Sequence, residues 1–303
     1  DVFNVLANPY TLTRPAVTLG ETEQYVQLQE SFDDEFLMVD TLVKYTWDKA
    51  SLTSVSSVID RDITVVRDSG QLTTSILAQP TGFGLTGDVL ELDAPLVDRT
   101  DLQLFSQELR VNSEGDTRFD YVVGGFYTQS DRKFGQTLFV PGFEALTGMP
   151  TSAAADLDDH LFFSRFKFDF SQWALFGEAT YEITDKLRLT AGMRWFEFSE
   201  KRTLTLDGLF AAAGIEETEP AETVSNGLTP RIILAYEASE GFQINAQVAK
   251  GFRLGGINDP LNRPLCTAED FETYGDRPFF DNEELWNYEI GMKSTLAGGR
   301  LTF

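Results

Sequence analysis

The run WALFGEATYEITDKLRLTAGMRWFEF, Trp173 to Phe198, decides the fold. On its first arm Trp173, Leu175, Gly177, Ala179 and Tyr181 alternate with Ala174, Phe176, Glu178 and Thr180. On its second, Leu187, Leu189, Ala191, Met193 and Trp195 alternate with Arg188, Thr190, Gly192 and Arg194. Successive strand side chains point to opposite faces, so each arm has one apolar face and one mixed, largely polar face. Trp173 and Trp195 sit at the open ends and Tyr181 beside the turn, with small or aliphatic residues between them. Indole and phenol rings favour the headgroup interface, so aromatics at both ends of an apolar band suit a bilayer. A buried soluble core calls instead for aliphatic inner faces without such end-belts. The segment reads as a membrane-spanning β-hairpin.

Three other segments repeat the pattern. In FQINAQVAKGF, Phe242, Ile244, Ala246, Val248 and Phe252 share one face, with Gln243, Asn245, Gln247 and Arg253 on the other. Lys250 falls on the apolar side near the end, where its stem can snorkel. In LWNYEIGMKSTL, Trp286, Tyr288, Ile290, Met292 and Leu296 oppose Asn287, Glu289, Gly291, Lys293 and Thr295. FLMVDTLVKYTW sets Leu37, Val39, Val43, Tyr45 and Trp47 against Asp40 and Lys44.

Composition agrees. Although 42% of the 303 residues are hydrophobic, nowhere do eighteen apolar residues run together, so a membrane helix is excluded. A β-barrel needs no such run, because its strands satisfy one another's backbone and its charges lie in lumen and loops. The net charge of −24 argues against nucleic acid as a partner, since phosphate contacts need clustered Lys and Arg. Acidic runs such as Asp156 to Asp159 and Glu216 to Glu219 read as solvated loops. Cys266, the single cysteine, has no partner for a disulfide within the chain. No export signal precedes Asp1, which reads as a mature or truncated exported chain.

Short turns are expected at Asp48-Lys49-Ala50, Glu114-Gly115-Asp116, Thr184-Asp185-Lys186, Ser239-Glu240-Gly241 and Ala297-Gly298-Gly299, each with Gly, Asp or Ser chemistry. Between them, 68–103, 140–160, 206–225 and 255–283 lack alternation and read as long loops. Short turns on one side and long loops on the other is the asymmetry of outer-membrane barrels. The expected fold is all-β, a partial transmembrane antiparallel barrel without a plug. It has about ten or eleven strands of a 22-stranded barrel. Residues 1–303 form one partial barrel domain, with 1–35 as an extracellular loop or strand remnant and 36–303 as strands and loops.

LFSQELRVNS (104–113), YVVGGFYTQSD (121–131), ALFGEATYEITDKLRLTAGMRW (174–195), LTPRIILAY (228–236), VAKGFRLGGIN (248–258) and LWNYEIGMKSTLAGGRL (285–301) resemble the barrel of TonB-dependent outer-membrane receptors, in that family's order. The resemblance covers about residues 36 to 303, and GFRLGG and WNYEIG are its most specific parts. GFRLGG would be a strand top whose small residues let an extracellular loop fold inward. WNYEIG would start a descending strand, with Trp286 in the outer belt and Glu289 in the lumen. The resemblance implies active import of a scarce ligand, most often an iron–siderophore chelate. In that family a plug fills the lumen and the inner-membrane TonB complex supplies energy; neither the plug nor the TonB-contacting segment is expected within residues 1–303. Outer-membrane lipid, including lipopolysaccharide, is the expected surround.

Enzyme chemistry finds little footing. His160 is the single histidine, so two-histidine zinc patterns cannot form, and no metal or cofactor is expected. GFGLTG (82–87) lacks the lysine of a phosphate loop. Glu178 and Glu289 read as lumen carboxylates that line an aqueous interior or ion-pair with Arg188, Arg194 or Arg253, and Glu197 as lying above the apolar band. Ligand contact is expected from loop aromatics and basics: Phe139, Phe143, Arg263, Tyr274, Arg277, Phe279 and Phe280. Rings could stack on a flat chelate or sugar and arginines could pair with anions. Two rivals remain open: a passive porin-like channel, and a soluble all-β surface adhesin or glycan-binding module.

Overall fold

The structure, a computed structural model, describes residues 21, 26–79, 83–152, 157–211, 216–217, 220–261, 265–275, 277–296 and 300–303. One antiparallel sheet dominates. Its long strands are β1 (Ser31–Trp47), β2 (Ala50–Asp68), β3 (Pro95–Ser113), β4 (Phe119–Phe139), β5 (His160–Thr184) and β6 (Leu187–Asp207). They continue through β8 (Ala221–Ser239), β9 (Phe242–Arg253) and β12 (Glu283–Leu296). The short strands β7 (Glu216–Glu217) and β13 (Leu301–Thr302) pair with β6 and β12, which makes the sheet 11-stranded. Each long strand pairs with its sequence neighbours, as in an up-and-down barrel wall. Among the described residues the wall is open, with β1 and β13 at its two edges. A separate ribbon joins β10 (Gly256–Ile257) to β11 (Phe279–Phe280).

Among the described residues the short connections all lie at one end. Gly115 and Gly241 take positive φ in two of them, 105° and 75°, where a Cβ would be strained. The turn at 297–299 lies outside the described residues. Long connections gather at the other end and carry α1 (Gly70–Ala78), α2 (Phe143–Thr147) and α3 (Ala268–Tyr274). Leu77, Val89, Leu90, Phe143, Leu161 and Phe210 pack there into a small buried core. Three expected boundaries shift. β1 starts at Ser31, and β3 at Pro95 and β8 at Ala221 extend into segments read as loops. Pro95 opens its strand, where a missing N–H costs least.

The wall is a single layer. Among the described residues no second layer covers the apolar side: Met193 is 54% exposed, Val248 37% and Ile290 79%. Direct pairing places Tyr127, Trp173 and Glu197 in one row, and Tyr181 opposite Leu189. The Trp173 and Trp195 rings meet edge-on with centroids 4.3 Å apart. At the turn end Tyr45 with Trp47, and Phe119 with Tyr121, form neighbouring ring pairs. These two aromatic rows bracket the apolar band.

Above the Trp row the alternation inverts. On β5 the outward positions become Asp169, Lys167 and Arg165, and the inward ones become Phe170, Phe168 and Phe166. On β6 the outward row changes after Trp195 to Glu197, Ser199 and Lys201, while Phe196 and Phe198 are buried inward. Hydrocarbon outside and water inside give way to water outside and an aromatic lining inside. The inversion marks the upper limit of the lipid band.

One expected face is corrected. β9 leaves β8 after the pair Arg231↔Ala249, beside Pro230, which has no N–H to continue a ladder. The end of β9 stays paired with β12 alone, and Phe252 stacks on inward-facing Phe196 at 3.8 Å instead of joining Val248 outside. Gly227 makes room for this, because a Cβ there would lie 2.6 Å from the Phe196 ring.

Candidate functional site

The inner wall above the band is built from β4, β5 and β6. Phe134 lies opposite Phe166 and Arg132 opposite Phe168, so guanidinium and phenyl groups share one face. The Arg132 guanidinium carbon stands 4.1 Å from the Phe168 centroid and that of Arg202 5.6 Å from Phe166, and Arg194 makes the same kind of contact with Phe126 at 5.3 Å just below the Trp row. Such contacts hold each cation in place while leaving its N–H edge able to donate.

Arg202 is the hub. Its side chain is buried, and it donates to the Ile257 carbonyl at 2.9 Å, the Asn258 carbonyl at 2.8 Å and Asp259 Oδ1 at 2.7 Å. These bonds fold residues 257–259 over the lumen side of the wall. The GFRLGG expectation is met in detail: a Cβ on Gly255 would lie 2.5 Å from the Phe280 carbonyl oxygen, and one on Gly256 would strike the Phe280 ring. A cleft of about 420 Å³ opens between Arg202, Phe134, Phe166 and Asn258. A second of about 660 Å³ lies between Arg202, Pro260, Tyr274 and Arg277. Arg202 borders both.

The sequence-predicted contact residues divide. Tyr274 and Arg277 share the second cleft. Phe279 and Phe280 stand exposed on the β10–β11 ribbon above it. Phe139 is part-exposed at the top of β4, its ring 5.0 Å from that of His160. Phe143 is 0% exposed in the loop core, so its ring is spent on packing and presents no surface to a ligand. Arg263 lies outside the described residues. The Phe–Arg wall itself was missed. Its signal was present in SRFKFDFSQW (164–173), where phenylalanine alternates with charge in the phase opposite to the strand below.

The lumen ion pairs also differ from expectation. Glu178 pairs with Arg231, not with Arg188, Arg194 or Arg253. Gly192 lies between the two strands' partners, and its missing side chain leaves the space that the Glu178 carboxylate crosses. Arg253 pairs with Glu283 at 2.8 Å, and Lys250 with Glu284 at 2.6 Å.

Two loop carboxylates fix the rim. Glu144 accepts from the Thr151 N–H and hydroxyl, both at 2.6 Å, and those bonds hold its pKa below the ordinary carboxylate range. Asp270 forms a capping box with Thr267 at the start of α3, and the Thr267 bonds likewise lower its pKa. α3 in turn carries Tyr274 to the cleft.

Comparison with known proteins gives the same answer as the geometry. The chain resembles in structure the ferric yersiniabactin uptake receptor FyuA from Yersinia pestis (TM-score 0.61, 16% identity, 88% of this chain and 34% of that one). It also resembles the siderophore receptor PiuA from Acinetobacter baumannii (TM-score 0.55, 15% identity, 90% and 39%). The copper transporter OprC is similar at TM-score 0.56 and 15% identity, over 88% and 37%. The chain therefore spans between a third and two fifths of the length of these proteins, and at such identities the likeness speaks for the fold. The sequence profile of the TonB dependent receptor-like β-barrel, a family of outer-membrane transport receptors, matches residues 5–303. A lipid-facing band between aromatic rows, short turns opposite long loops and a matching profile over nearly the whole length place this chain in the TonB-dependent receptor β-barrel family of the Gram-negative outer membrane.

Proposed function

We propose that residues 1–303 act as one barrel unit of a receptor that imports a scarce ferric siderophore, energised through the TonB complex. The observation that carries this reading is the wall of Arg132 and Arg202 held against inward phenylalanine rings above the lipid band, continued just below the Trp row by Arg194 on Phe126. A flat, anionic, aromatic chelate offers faces for the rings and oxygens for the guanidinium groups. Tyr274, Arg277, Phe279 and Phe280 form the outer lip that meets it first, and Arg202 couples that lip to the wall. The siderophore receptors among the structural neighbours support the cargo class.

The test is growth of a deletion strain on single ferric siderophores as sole iron source, complemented with the intact parent gene or with Arg132→Ala and Arg202→Ala. Loss of growth on at least one chelate, restored only by the intact gene, is expected. Uptake that survives collapse of the proton gradient would instead favour a passive channel.

A further inference from the structure

One acidic residue sits where a wall that receives anions has no evident use for it. Glu200 lies on β6 two residues below Arg202 and two above Phe198, five residues beyond Trp195 and so outside the lipid band. Register sets Ser130, Phe170, Glu200 and Thr223 in one row, directly beneath the row of Arg132, Phe168 and Arg202. All of these belong to the lumen side of the wall. The Phe170 and Phe198 rings beside and below Glu200 stack with centroids 6.1 Å apart. Thr223, its neighbour on β8, brings no charge. Lys167, Asp169 and Lys201 lie on the outer side, as do Ser199 and Glu222, which are bonded to each other at 3.1 Å.

The charges that act on Glu200 are Arg132 from β4 and Arg202 from its own strand. Neither is its ion-pair partner. Arg202 is committed to Asp259 at 2.7 Å, and Arg132 rests over the Phe168 ring. Arg253 on β9 and Glu283 on β12 are paired with each other. Among the described residues the half-buried Glu200 carboxylate has no hydrogen-bond or ion-pair partner. Burial among the rings pushes its carboxyl above the ordinary carboxylate range, and the two guanidinium groups pull it only part of the way back.

An unpaired carboxylate is costly to bury, and it repels the anion that the arginines attract. We infer that Glu200 takes up a proton from solvent as an anionic ferric chelate seats on Arg132 and Arg202, and then donates it in a hydrogen bond to a chelate oxygen. This rests on the cargo site proposed above, and within that site it assigns the residue that sets the accepted charge and the pH of capture. In the empty wall, ionised Glu200 offsets part of the charge of the two guanidinium groups. A seated anion takes over that role and makes a second negative charge beside it unfavourable. The sign follows. Affinity is greatest where Glu200 is already protonated in the empty receptor, and it falls as pH rises, by at most about tenfold per pH unit for one proton. The protonated carboxyl offers one O–H donor, so a chelate with a bare oxygen at its rim is favoured.

The experiment titrates the full-length receptor in mild detergent with ferric citrate and with a ferric catecholate, from pH 5 to pH 8. It compares wild type, Glu200→Gln and Glu197→Gln, and heat-modifiable gel mobility reports that each barrel is folded. The amide in Glu200→Gln keeps the shape and a donor and carries no charge at any pH. The ratio of variant to wild-type affinity cancels any titration of the chelate itself. For Glu200→Gln that ratio should stay within about twofold at pH 5 and rise to at least about fivefold at pH 8. For Glu197→Gln, on the outer side of the same strand, it should stay flat. Glu200→Ala removes the donor as well, so it should bind more weakly than wild type at pH 5 and still show the upward trend. It decides if Glu200→Gln fails to assemble. In a folded Glu200 variant, a ratio that is constant with pH, or that falls as pH rises, overturns the inference and leaves the cargo reading standing. A wild-type receptor that binds neither chelate at any pH removes the cargo reading, and this inference with it.

Discussion

Replacing Ala191 by arginine puts a guanidinium on the outward face of β6 midway across the apolar band. Ala191 lies four residues from Trp195 and four from Leu187, and it pairs with Ala179 on one side and Ile232 on the other. Four residues are about 13 Å of strand, or about 10 Å of depth at a tilt of roughly 40°. No polar group lies opposite it on either neighbouring strand. A cationic side chain near the midplane of a barrel's lipid face costs about 2–4 kcal/mol, with snorkelling already included in such figures. At 3 kcal/mol the folding equilibrium changes by a factor above about 100. Thr190→Arg is the matched control. Its side chain faces the lumen, and it loses the 2.8 Å contact with the Thr180 hydroxyl, worth about 0.5–1.5 kcal/mol. Reversible denaturant unfolding of the full-length receptor from lipid vesicles measures both. A difference below about 1 kcal/mol between the two variants, or the larger loss at Thr190, would refute the assignment of faces.

Three further outcomes follow from the rim. Arg202→Ala removes every bond that Arg202 makes to Ile257, Asn258 and Asp259, and each charged bond is worth about 1.5–3 kcal/mol. Amide exchange across 255–261 should rise at least tenfold, and unchanged protection would show that the loop holds itself. Gly227→Val drives a side chain into the Phe196 ring and should cost about 1–3 kcal/mol by overpacking, read as a lower unfolding midpoint. Asp270 has a depressed folded pKa, so its contribution to α3 is complete above the unfolded carboxylate value. That contribution is lost as pH falls through the lower folded one. Intrinsic-rate-corrected exchange over 268–274 should therefore accelerate below about pH 4, and Asp270→Asn should abolish that dependence.

How much of this was readable in the sequence depended on height above the turns. Within the band, one solvent is hydrocarbon and the other water, so a period of two is written strongly in residues such as Leu187 to Trp195. Turn positions followed from the same contrast. Above the band both faces meet water or loops, and the contrast fades. Pro95 to Gln103 carries charges outside and a mixture of Leu96, Asp98, Thr100 and Leu102 inside, so the stretch looked like loop. The Phe166, Phe168 and Phe170 column was visible, but its phase was opposite to the strand below and only the register shows that it points inward. Phe143 was misjudged for a different reason: composition cannot separate a ring that serves a loop core from one that serves a ligand. Phe252 departed from its face because β9 leaves its ladder near Pro230, a tertiary event that alternation alone does not encode.

The most direct test is a spin-label scan of residues 187–203 in the parent receptor reconstituted in bilayers, with accessibility to oxygen and to a water-soluble nickel chelate at each position. The odd positions from Leu187 to Trp195 should be oxygen-rich and shielded from nickel. From Glu197 upward the odd positions should become nickel-accessible, while Phe196 and Phe198 stay protected from both. Oxygen maxima at the even positions, or alternation that runs past Trp195 without inverting, would contradict the account.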